Sequence, residues 1–368
     1  NNIDMIVKDV IDFLNDYAPL AYAEEFDNAG LIVGNENNKI TGILICHDSI
    51  PDVIDEAIKL GYNLIVSFHP ILFKGFKNLL PNNYVNNSLI KAVKNDISIF
   101  SFHTALDNSK YGVNMQLCKE LGIKNTEILY PKKGTIKKLT TYIPKENAKL
   151  LKHELFKTGA GNIGKYENCS YSYEGLGTFK GNSESKPYVG EKLKDSTQEE
   201  VCVNITYLKH LEKRVLKSLE EFHPYEEIAY EIKELDNYNK NIGMGMYGKL
   251  TNVLDEKDFL SFLKKTLKIK LLKHSKLLKK KIKKVAVLAG SGSFGIEKAI
   301  SVSADAYLTA DLKYHDYFKA EKSILIVDIG HYESEQFTNK LMHEILTKKF
   351  PNFAIALTKT NTNPVNYS

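Results

Sequence analysis

Three hydrophobic segments of the sequence end on a histidine. LIVSFH ends on His69, SIFSFHTALD contains His103, and ILIVDIGHYESE contains His331. Two of these histidines are followed four residues later by a carboxylate, Asp107 after His103 and Glu335 after His331. A single histidine in such a place often caps a turn or hydrogen-bonds to the backbone. Its repetition in three segments favours a shared site instead.

Imidazole and carboxylate groups together form a ligand set for divalent metal ions. The set is compatible with Zn, Mn, Fe or Ni and does not select among them. Because carboxylates can bridge two ions, five such residues can hold a pair about 3.5–4 Å apart. The sequence therefore predicts one or two divalent ions per chain, with the ligands His69, His103, Asp107, His331 and Glu335.

Buried strands that alternate with helices are predicted around these residues. Residues 4–18 have the periodicity of an amphipathic helix, and the segments 42–49, 64–69 and 97–103 have the composition of strands. The β-α-β-α-β order implies parallel strands with crossover helices. Binding sites in a parallel sheet lie beyond the carboxyl ends of the strands, so the histidines are expected at one edge.

The middle of the chain has a different character. From about residue 134 to the stretch DNYNKNIGMG, the sequence predicts strands of alternating pattern and two helices in β-α-β order. We therefore predict an α/β protein in which two α/β lobes, residues 1–132 and 241–368, form one metal-binding domain. Residues 133–240 are predicted to form an inserted ferredoxin-like α+β domain.

The segment VAVLAGSGSFGIEKA places three glycines in G-x-G-x-x-G spacing between a predicted strand and a helix. Asp311 follows about 20 residues later, which matches the dinucleotide-binding fingerprint. The same backbone can bind another phosphate or carboxylate, or can simply form a tight turn. The residues expected to contact an anion are Gly290, Ser291, Gly292 and Ser293.

Two charged segments admit more than one interpretation. Residues 264–284 contain eleven lysines interleaved with leucine and isoleucine, a pattern more typical of an amphipathic helix and strand than of a nucleic-acid site. The segment HPYEE (223–227) is compatible with a charged turn or with a second metal site.

The overall composition is that of a soluble globular protein. Of the 368 residues, 43% are hydrophobic and 26% are charged, and the net charge is +5. No stretch approaches the roughly 20 apolar residues of a membrane span, and the amphipathic N-terminus lacks the basic region of a secretory signal. The four cysteines contain no C-x-x-C pair and are expected to be reduced thiols. We predict a cytoplasmic protein without membrane partners.

Several motifs together resemble one known family. VSFHPILFKG, SFHTALDNSKYGVN, LAGSGS and VDIGHYESE, with EFDNAGLIVG near the start, are similar to the Nif-three-like dinuclear-metal-centre hexamer proteins, which are also called GTP cyclohydrolase I type 2 homologues. The resemblance covers both outer lobes. The insert with HPYEE resembles the CutA- and PII-like domain of the longer family members.

The resemblance implies a homohexameric ring with two-metal sites inside it, between the lobes. His69, His103, Asp107, His331 and Glu335 match the family's ligand positions. The family usually has two adjacent histidines before the proline, whereas this chain has Phe68 and then His69, so one nitrogen ligand is missing. His47 and His315 are weaker candidates to replace it.

The resemblance and the ligands together favour a metal-dependent hydrolase that acts on an anionic, nucleotide-like or phosphoester substrate. Ring opening of GTP, which the family name suggests, needs a proton donor for the leaving amine, and Glu333 in HYESE is the candidate. One alternative is a non-catalytic, metal-stabilised hexamer with a binding or regulatory role. Another is a nicotinamide-dependent oxidoreductase that uses the glycine loop.

Overall fold

The computed structural model describes residues 5–367, and this part of the chain divides into two compact units. The first unit combines the described residues up to Pro131 with those from Lys240 onward. The second unit is the intervening segment Lys132–Asn239. Residue 4, where the predicted helix 4–18 begins, and the outer ends of the two predicted lobes lie outside the described residues.

The chain up to Pro131 alternates short strands and helices, mostly as the hydrophobic pattern predicts. The helices are α1 (Val7–Tyr17), α2 (Pro51–Leu60), α3 (Tyr84–Lys94), α4 (Thr104–Asp107) and α5 (Val113–Glu120). The strands are β1 (Gly30–Val33), β2 (Ile43–Cys46), β3 (Leu64–Ser67), β4 (Ser98–Ser101) and β5 (Ile123–Pro131).

The second unit contains one antiparallel sheet and two helices. In chain order its elements are β6 (Ile136–Pro144), α6 (Ala148–Lys157), β7 (Tyr171–Lys180), β8 (Asp195–Leu208), α7 (Glu212–Phe222) and β9 (Tyr230–Glu234). The strand order is β7-β8-β6-β9, and all three pairings are antiparallel. Leucine, isoleucine and valine side chains from the sheet and from both helices form the core of this unit.

The remainder of the chain completes the first unit. Its strands are β10 (Gly243–Asp255), β11 (Lys273–His274), β12 (Lys281–Ser291), β13 (Ala306–Ala310), β14 (Leu325–Asp328) and β15 (Ile355–Leu357). Its helices are α8 (Glu256–Leu267), α9 (Ile296–Ser301), α10 (His331–Glu335) and α11 (Thr338–Lys349), with 3-10 turns at Ser293–Gly295 and Tyr314–Ala320.

Two mixed sheets form the first unit, and each takes a strand from the other end of the chain. The first sheet has the order β1-β4-β3-β2-β15, with β4, β3, β2 and β15 parallel and β1 antiparallel. The predicted parallel β-α-β-α-β arrangement is therefore confirmed. The second sheet has the order β11-β14-β13-β12-β10-β5, in which β12, β13 and β14 are parallel. One hydrophobic core contains residues of both sheets.

Hydrophobic burial also explains the lysine-rich segment 264–284. Leu267, Ile269 and Ile282 are buried in the core, whereas Lys273 and Lys281 reach outward and pair with Asp328 and Asp255 at 2.8 and 2.9 Å. The amphipathic interpretation of this segment is confirmed. All four cysteines are free thiols, and three of them are buried. None of the helices in residues 5–367 combines the length and apolar character needed to cross a bilayer.

Candidate metal centre

The carboxyl ends of β2, β3 and β4 bring three histidines to one edge of the first sheet. The register places the last residues of these strands side by side. Backbone hydrogen bonds continue past the strand ends, where the N–H of His69 donates to the carbonyl of His47 and the N–H of His103 donates to that of Phe68, both at 2.9 Å. The sheet itself therefore positions the three imidazoles.

The second sheet delivers a fourth histidine and a carboxylate. After β14 the chain turns at Gly330, whose φ is 88°, and α10 begins at His331. Residues four apart lie on the same face of a helix, so His331 and Glu335 point in one direction. The Glu335 side chain is only 4% exposed.

Three imidazoles surround one oxygen of Glu335. Oε2 of Glu335 lies 3.2 Å from Nε2 of His47, 3.4 Å from Nε2 of His69 and 3.3 Å from Nε2 of His331. Glu335 of α10 thus contacts His331 of the same helix and His47 and His69, which follow strands of the first sheet. The ring centroids of His69 and His103 are 5.3 Å apart, and those of His69 and His331 are 5.5 Å apart. The predicted ligands His69, His331 and Glu335 are in direct contact, and His103 lies beside them.

Each predicted histidine is held by a carboxylate on its opposite ring nitrogen. The three Nδ1–carboxylate pairs are His69–Asp48 at 2.8 Å, His103–Asp27 at 2.7 Å and His331–Asp311 at 2.6 Å. A hydrogen bond from Nδ1 to a carboxylate fixes the tautomer, leaves Nε2 free to bind a cation and raises the basicity of the ring. The same arrangement on three histidines is characteristic of metal ligands.

The electrostatics of the cluster are those of a charge-compensated centre. Burial lowers the pKa of His69, but the carboxylates of Asp48 and Glu335 outweigh burial and raise the pKa to about 10. For His331, Glu335 and Asp311 likewise outweigh burial and raise the pKa to about 9. Burial favours the neutral form of Glu335, but hydrogen bonds from the histidines hold its pKa well below the usual value. A divalent cation would replace these protons as the balancing charge.

Asp107, the last residue of α4, has a buried carboxylate oxygen, and its charge interacts with those of Glu335, His69 and His331. Burial raises its pKa well above the usual value, and the negative charge of Glu335 raises it further. Oδ1 of Asp107 has no hydrogen-bond partner among the described residues. A buried oxygen without a partner costs about 1–3 kcal/mol. A cation at this oxygen would satisfy it, so the donor set fits a divalent metal ion.

The backbone at His103 adopts an unusual conformation, with φ 37° and ψ −123°. Asp27 stabilises it by accepting hydrogen bonds from the Thr104 amide at 3.1 Å and the Thr104 hydroxyl at 2.5 Å. Such conformations cost of the order of 1–3 kcal/mol and persist where the surrounding structure fixes them, often at functional sites.

The glycine-rich segment borders the cluster, and packing explains its spacing. A Cβ on Gly290 would lie 2.4 Å from Oε1 of Glu335, and Cβ atoms on Gly292 and Gly295 would lie 2.8 and 2.3 Å from the hydroxyl of the buried Tyr307. Asp311 accepts hydrogen bonds from the hydroxyl of Ser291 and from His331. The acidic residue of the dinucleotide fingerprint is therefore engaged with a histidine of the cluster, and α9 has only six residues.

The other predicted residues lie as follows. Ser293 begins the 3-10 turn at the end of the glycine loop. The carboxylate of Glu333 hydrogen-bonds to the hydroxyl of Tyr367. The exposed ring of His315 packs beside Tyr314, with ring centroids 5.2 Å apart.

In HPYEE, both ring nitrogens of His223 are engaged. One lies 3.0 Å from the carbonyl of Tyr142, and the other accepts from the amide of Tyr225 at 3.2 Å. Neither nitrogen is free for a metal ion in this conformation, which favours the structural interpretation of this segment.

Four residues of the cluster are outside the predicted ligand set: His47, Asp48, Asp27 and Asp311. Asp48 does follow a buried strand, as the predicted ligands do, so its position at a strand end was a usable signal. Asp27 precedes β1 and is 76 residues from His103, and nothing in the local sequence indicates the contact.

Comparisons with known proteins agree with this fold. A family model described as Duf34/NIF3 (NGG1p interacting factor 3) matches residues 5–364. A Bacillus subtilis protein named "GTP cyclohydrolase 1 type 2 homolog" is 35% identical over 97% of this chain and 97% of its own. A Staphylococcus aureus protein of the same name is 33% identical over 99% of this chain and 100% of its own.

Two solved structures are also similar. The Bacillus cereus protein related to NIF3 superposes with a TM-score of 0.82 at 33% identity, covering 99% of this chain and 100% of that one. Staphylococcus aureus protein SA1388 superposes with a TM-score of 0.75 at 29% identity, covering 99% of each chain. Because the family model matches residues 5–364 and a relative is 35% identical over 97% of the chain, this chain belongs to the Duf34/NIF3 family.

Proposed function

We propose that this protein binds one or two divalent metal ions per chain and acts as a metal-dependent hydrolase on an anionic, nucleotide-like or phosphoester substrate. The ligands are His69, His103, Asp107, His331 and Glu335. The observation that carries the proposal is the convergence of three imidazole Nε2 atoms on Oε2 of Glu335, two of which, those of His69 and His331, have a carboxylate on the opposite Nδ1 atom. The metal can be Zn, Mn, Fe or Ni.

The chain's own residues orient and hold the reacting groups. Asp48, Asp27 and Asp311 keep the Nε2 atoms of their histidines directed toward the cluster. A bound divalent cation supplies Lewis-acid chemistry and lowers the pKa of a water molecule that it binds. The loop Gly290–Ser293 is connected to His331 through Asp311 and is the proposed seat of an anionic group of the substrate. Glu333 is the proposed proton donor for a leaving group.

The substrate class rests on the family names. The curated relatives are named GTP cyclohydrolase homologues, and a name is weaker evidence for a reaction than the geometry of a site. We therefore propose water attack on a ring carbon or a phosphorus centre of a nucleotide and take GTP as the first substrate to test.

We also propose a homohexamer and a CutA- or PII-like, ferredoxin-like insert. The β-α-β-β-α-β order and the strand order β7-β8-β6-β9 of the second unit support the ferredoxin-like assignment. Exposed apolar side chains between β3 and α3 support self-association: Phe73 is 50% exposed, Phe76 51% and Leu80 56%. Light scattering tests the hexamer, since it predicts a mass sixfold that of the 41.7 kDa chain.

The experiment that tests the hydrolase is turnover of GTP and of a phosphoester by protein stripped with a chelator and reloaded with one metal at a time. His331→Ala is the matched variant. We expect turnover that requires the metal and is lost in His331→Ala. Metal-loaded wild-type protein that turns over neither substrate class would contradict the hydrolase and favour the non-catalytic hexamer.

The non-catalytic hexamer is the second candidate function. The exposed apolar side chains between β3 and α3 favour it, because they indicate an assembly surface that does not depend on catalysis. A nicotinamide-dependent oxidoreductase is less well supported, because packing against Tyr307 and the contact between Asp311 and His331 account for the glycines and the acidic residue.

A further inference from the structure

We propose that His47 is a metal ligand of this centre. It supplies the imidazole that Phe68, its neighbour on the adjacent strand, cannot provide. The inference rests on the proposed metal binding and adds a residue that the strand-end motifs did not identify as a ligand. In this chain the imidazole directly follows β2, and the aromatic side chain directly follows the adjacent strand β3.

The register of the sheet places positions 47 and 68 side by side on adjacent strands. Cys46 pairs with Ser67 in the parallel ladder, so the next residues, His47 and Phe68, are neighbours on adjacent strands about 4.8 Å apart. Their ring centroids are 5.3 Å apart. Phe68 is fully buried, and its ring lies between those of His47 and His103, 5.9 Å from the latter.

His47 faces the same carboxylate, that of Glu335, as His69 and His331 do. Its Nε2 atom is 3.2 Å from Oε2 of Glu335, and its ring centroid is 4.6 Å from that of His69. The side chain is buried, with a residue exposure of 2%. A buried histidine that reaches the shared oxygen of a ligand set has the position of a ligand itself.

The second nitrogen of His47 is buried without a partner in the part of the chain that the structure describes. Nδ1 has no hydrogen-bond partner among residues 5–367, and a buried polar atom without a partner costs about 1–3 kcal/mol. The rings of Phe68, His69 and Tyr332, the last at 5.4 Å, enclose the imidazole and fix its orientation by packing.

With His47 included, the centre offers four imidazoles and two buried carboxylates. The four histidines are His47, His69, His103 and His331. This nitrogen-rich set suits Zn, Fe, Co or Ni, and it disfavours Mg and Ca, which prefer oxygen ligands.

The test exchanges the two side chains. We would prepare His47→Phe, Phe68→His and the double variant His47→Phe with Phe68→His, which keeps the same two side chains and therefore the packing volume. His47→Gln is the fourth variant, because its amide can still donate to Glu335. The full-length proteins are stripped with a chelator and titrated with Co²⁺, and the wild-type protein is also titrated with Zn²⁺, Mn²⁺, Fe²⁺ and Ni²⁺, one metal at a time. The readouts are ions per chain, affinity by chelator competition, and the Co²⁺ visible absorption, which reports nitrogen ligation.

We expect His47→Phe and His47→Gln to lose one ion per chain or to bind it at least about tenfold more weakly. Mutation of a residue that only supports a metal ligand already lowers metal affinity by about 10–100-fold. The double variant is expected to recover the lost ion and its absorption band. Circular dichroism of every variant verifies that the fold is retained. If His47→Phe does not fold, His47→Gln and the double variant still decide the question.

The contrary results are distinct from one another. Wild-type binding in His47→Gln would mean that His47 only positions Glu335, and would overturn the inference. A folded double variant that binds no better than His47→Phe would also overturn it, because the two positions would then not be equivalent. Wild-type protein that binds no Co²⁺, Zn²⁺, Mn²⁺, Fe²⁺ or Ni²⁺ would instead refute the proposed metal binding, and the inference with it.

Discussion

Nδ1 of His69 and Oδ1 of Asp48 are 2.8 Å apart, which joins two residues that each lie two positions beyond the end of a strand, β3 and β2. The contact directs Nε2 of His69 toward Glu335. Asp48 is further held by a hydrogen bond of 2.8 Å from the hydroxyl of Thr362, so the histidine is oriented by a carboxylate that is itself fixed.

Asp48→Asn tests the importance of this contact. The amide keeps the shape of the side chain but removes the charge that makes the His69 ring basic. We expect metal affinity to fall by about 10–100-fold with the fold retained, measured by competition with a chromophoric chelator. Asp55→Asn is the matched control, because Asp55 pairs with Lys91 at the exposed surface. Equal affinity in both variants would show that Asp48 does not support a ligand.

Glu335→Gln removes the oxygen shared by three histidines. A ligand that binds only the folded state stabilises it, by about 2.7 kcal/mol at a concentration of 100 times Kd. We expect Zn²⁺ or Co²⁺ to raise the Tm of the wild-type protein and to leave that of Glu335→Gln nearly unchanged, as measured by calorimetry. A metal-dependent rise of the same size in the variant would place the metal elsewhere.

Gly290→Ala tests the close approach of the loop to Glu335. A Cβ at this position would lie 2.4 Å from Oε1, and the φ of +70° adds a left-handed penalty of about 1–2 kcal/mol. Gly122→Ala separates the two effects, because Gly122 has φ +64° and no other atom within 4 Å of its Cβ position. Both variants should lower the free energy of unfolding, whereas metal affinity should fall only in Gly290→Ala. Unchanged affinity there would show that the carboxylate can shift without loss.

His223 gives the second unit a predictable response to acid. Burial lowers its pKa, and the Tyr142 carbonyl and the Glu200 charge only partly oppose this. The unfolded chain therefore binds a proton near pH 6.5 that the folded state does not, so stability is full above pH 6.5 and falls as the pH drops through the folded pKa. One proton limits the loss to about 1.4 kcal/mol per pH unit.

Amide hydrogen exchange in peptides that cover 212–234 measures this response between pH 7 and pH 5, after correction for the intrinsic exchange rates. We expect local protection to fall toward pH 5 in the wild-type protein and to fall less in His223→Gln. His153→Gln, at an exposed position, is the control that should keep the wild-type response. An unaltered pH response in His223→Gln would show that another group is responsible.

Local sequence patterns determined most of the elements and the predicted ligands. β2, β3 and β4 were predictable because buried parallel strands are short apolar runs, and the helix α2 because Pro51 and Gly61 mark its ends. His331 and Glu335 were predictable as a pair because residues four apart on a helix share a face.

Tertiary structure decided what surrounds those ligands. The short strand β15 joins β2 from more than 300 residues away, and β5 joins the second sheet, because pairing partners depend on burial in the assembled core and not on local pattern. The carboxylate contact from Asp27 to His103 spans 76 residues, and that from His47 to Glu335 spans 288. The first contact follows from the pairing of β1 with β4 within one sheet, and the second requires the two sheets to share one core. The sequence by itself therefore predicted which side chains could bind a metal ion. Strand pairing within each sheet decided which carboxylates orient them and which imidazole lies beside Phe68, and the shared core of the two sheets brought Glu335 to the histidines of the first sheet.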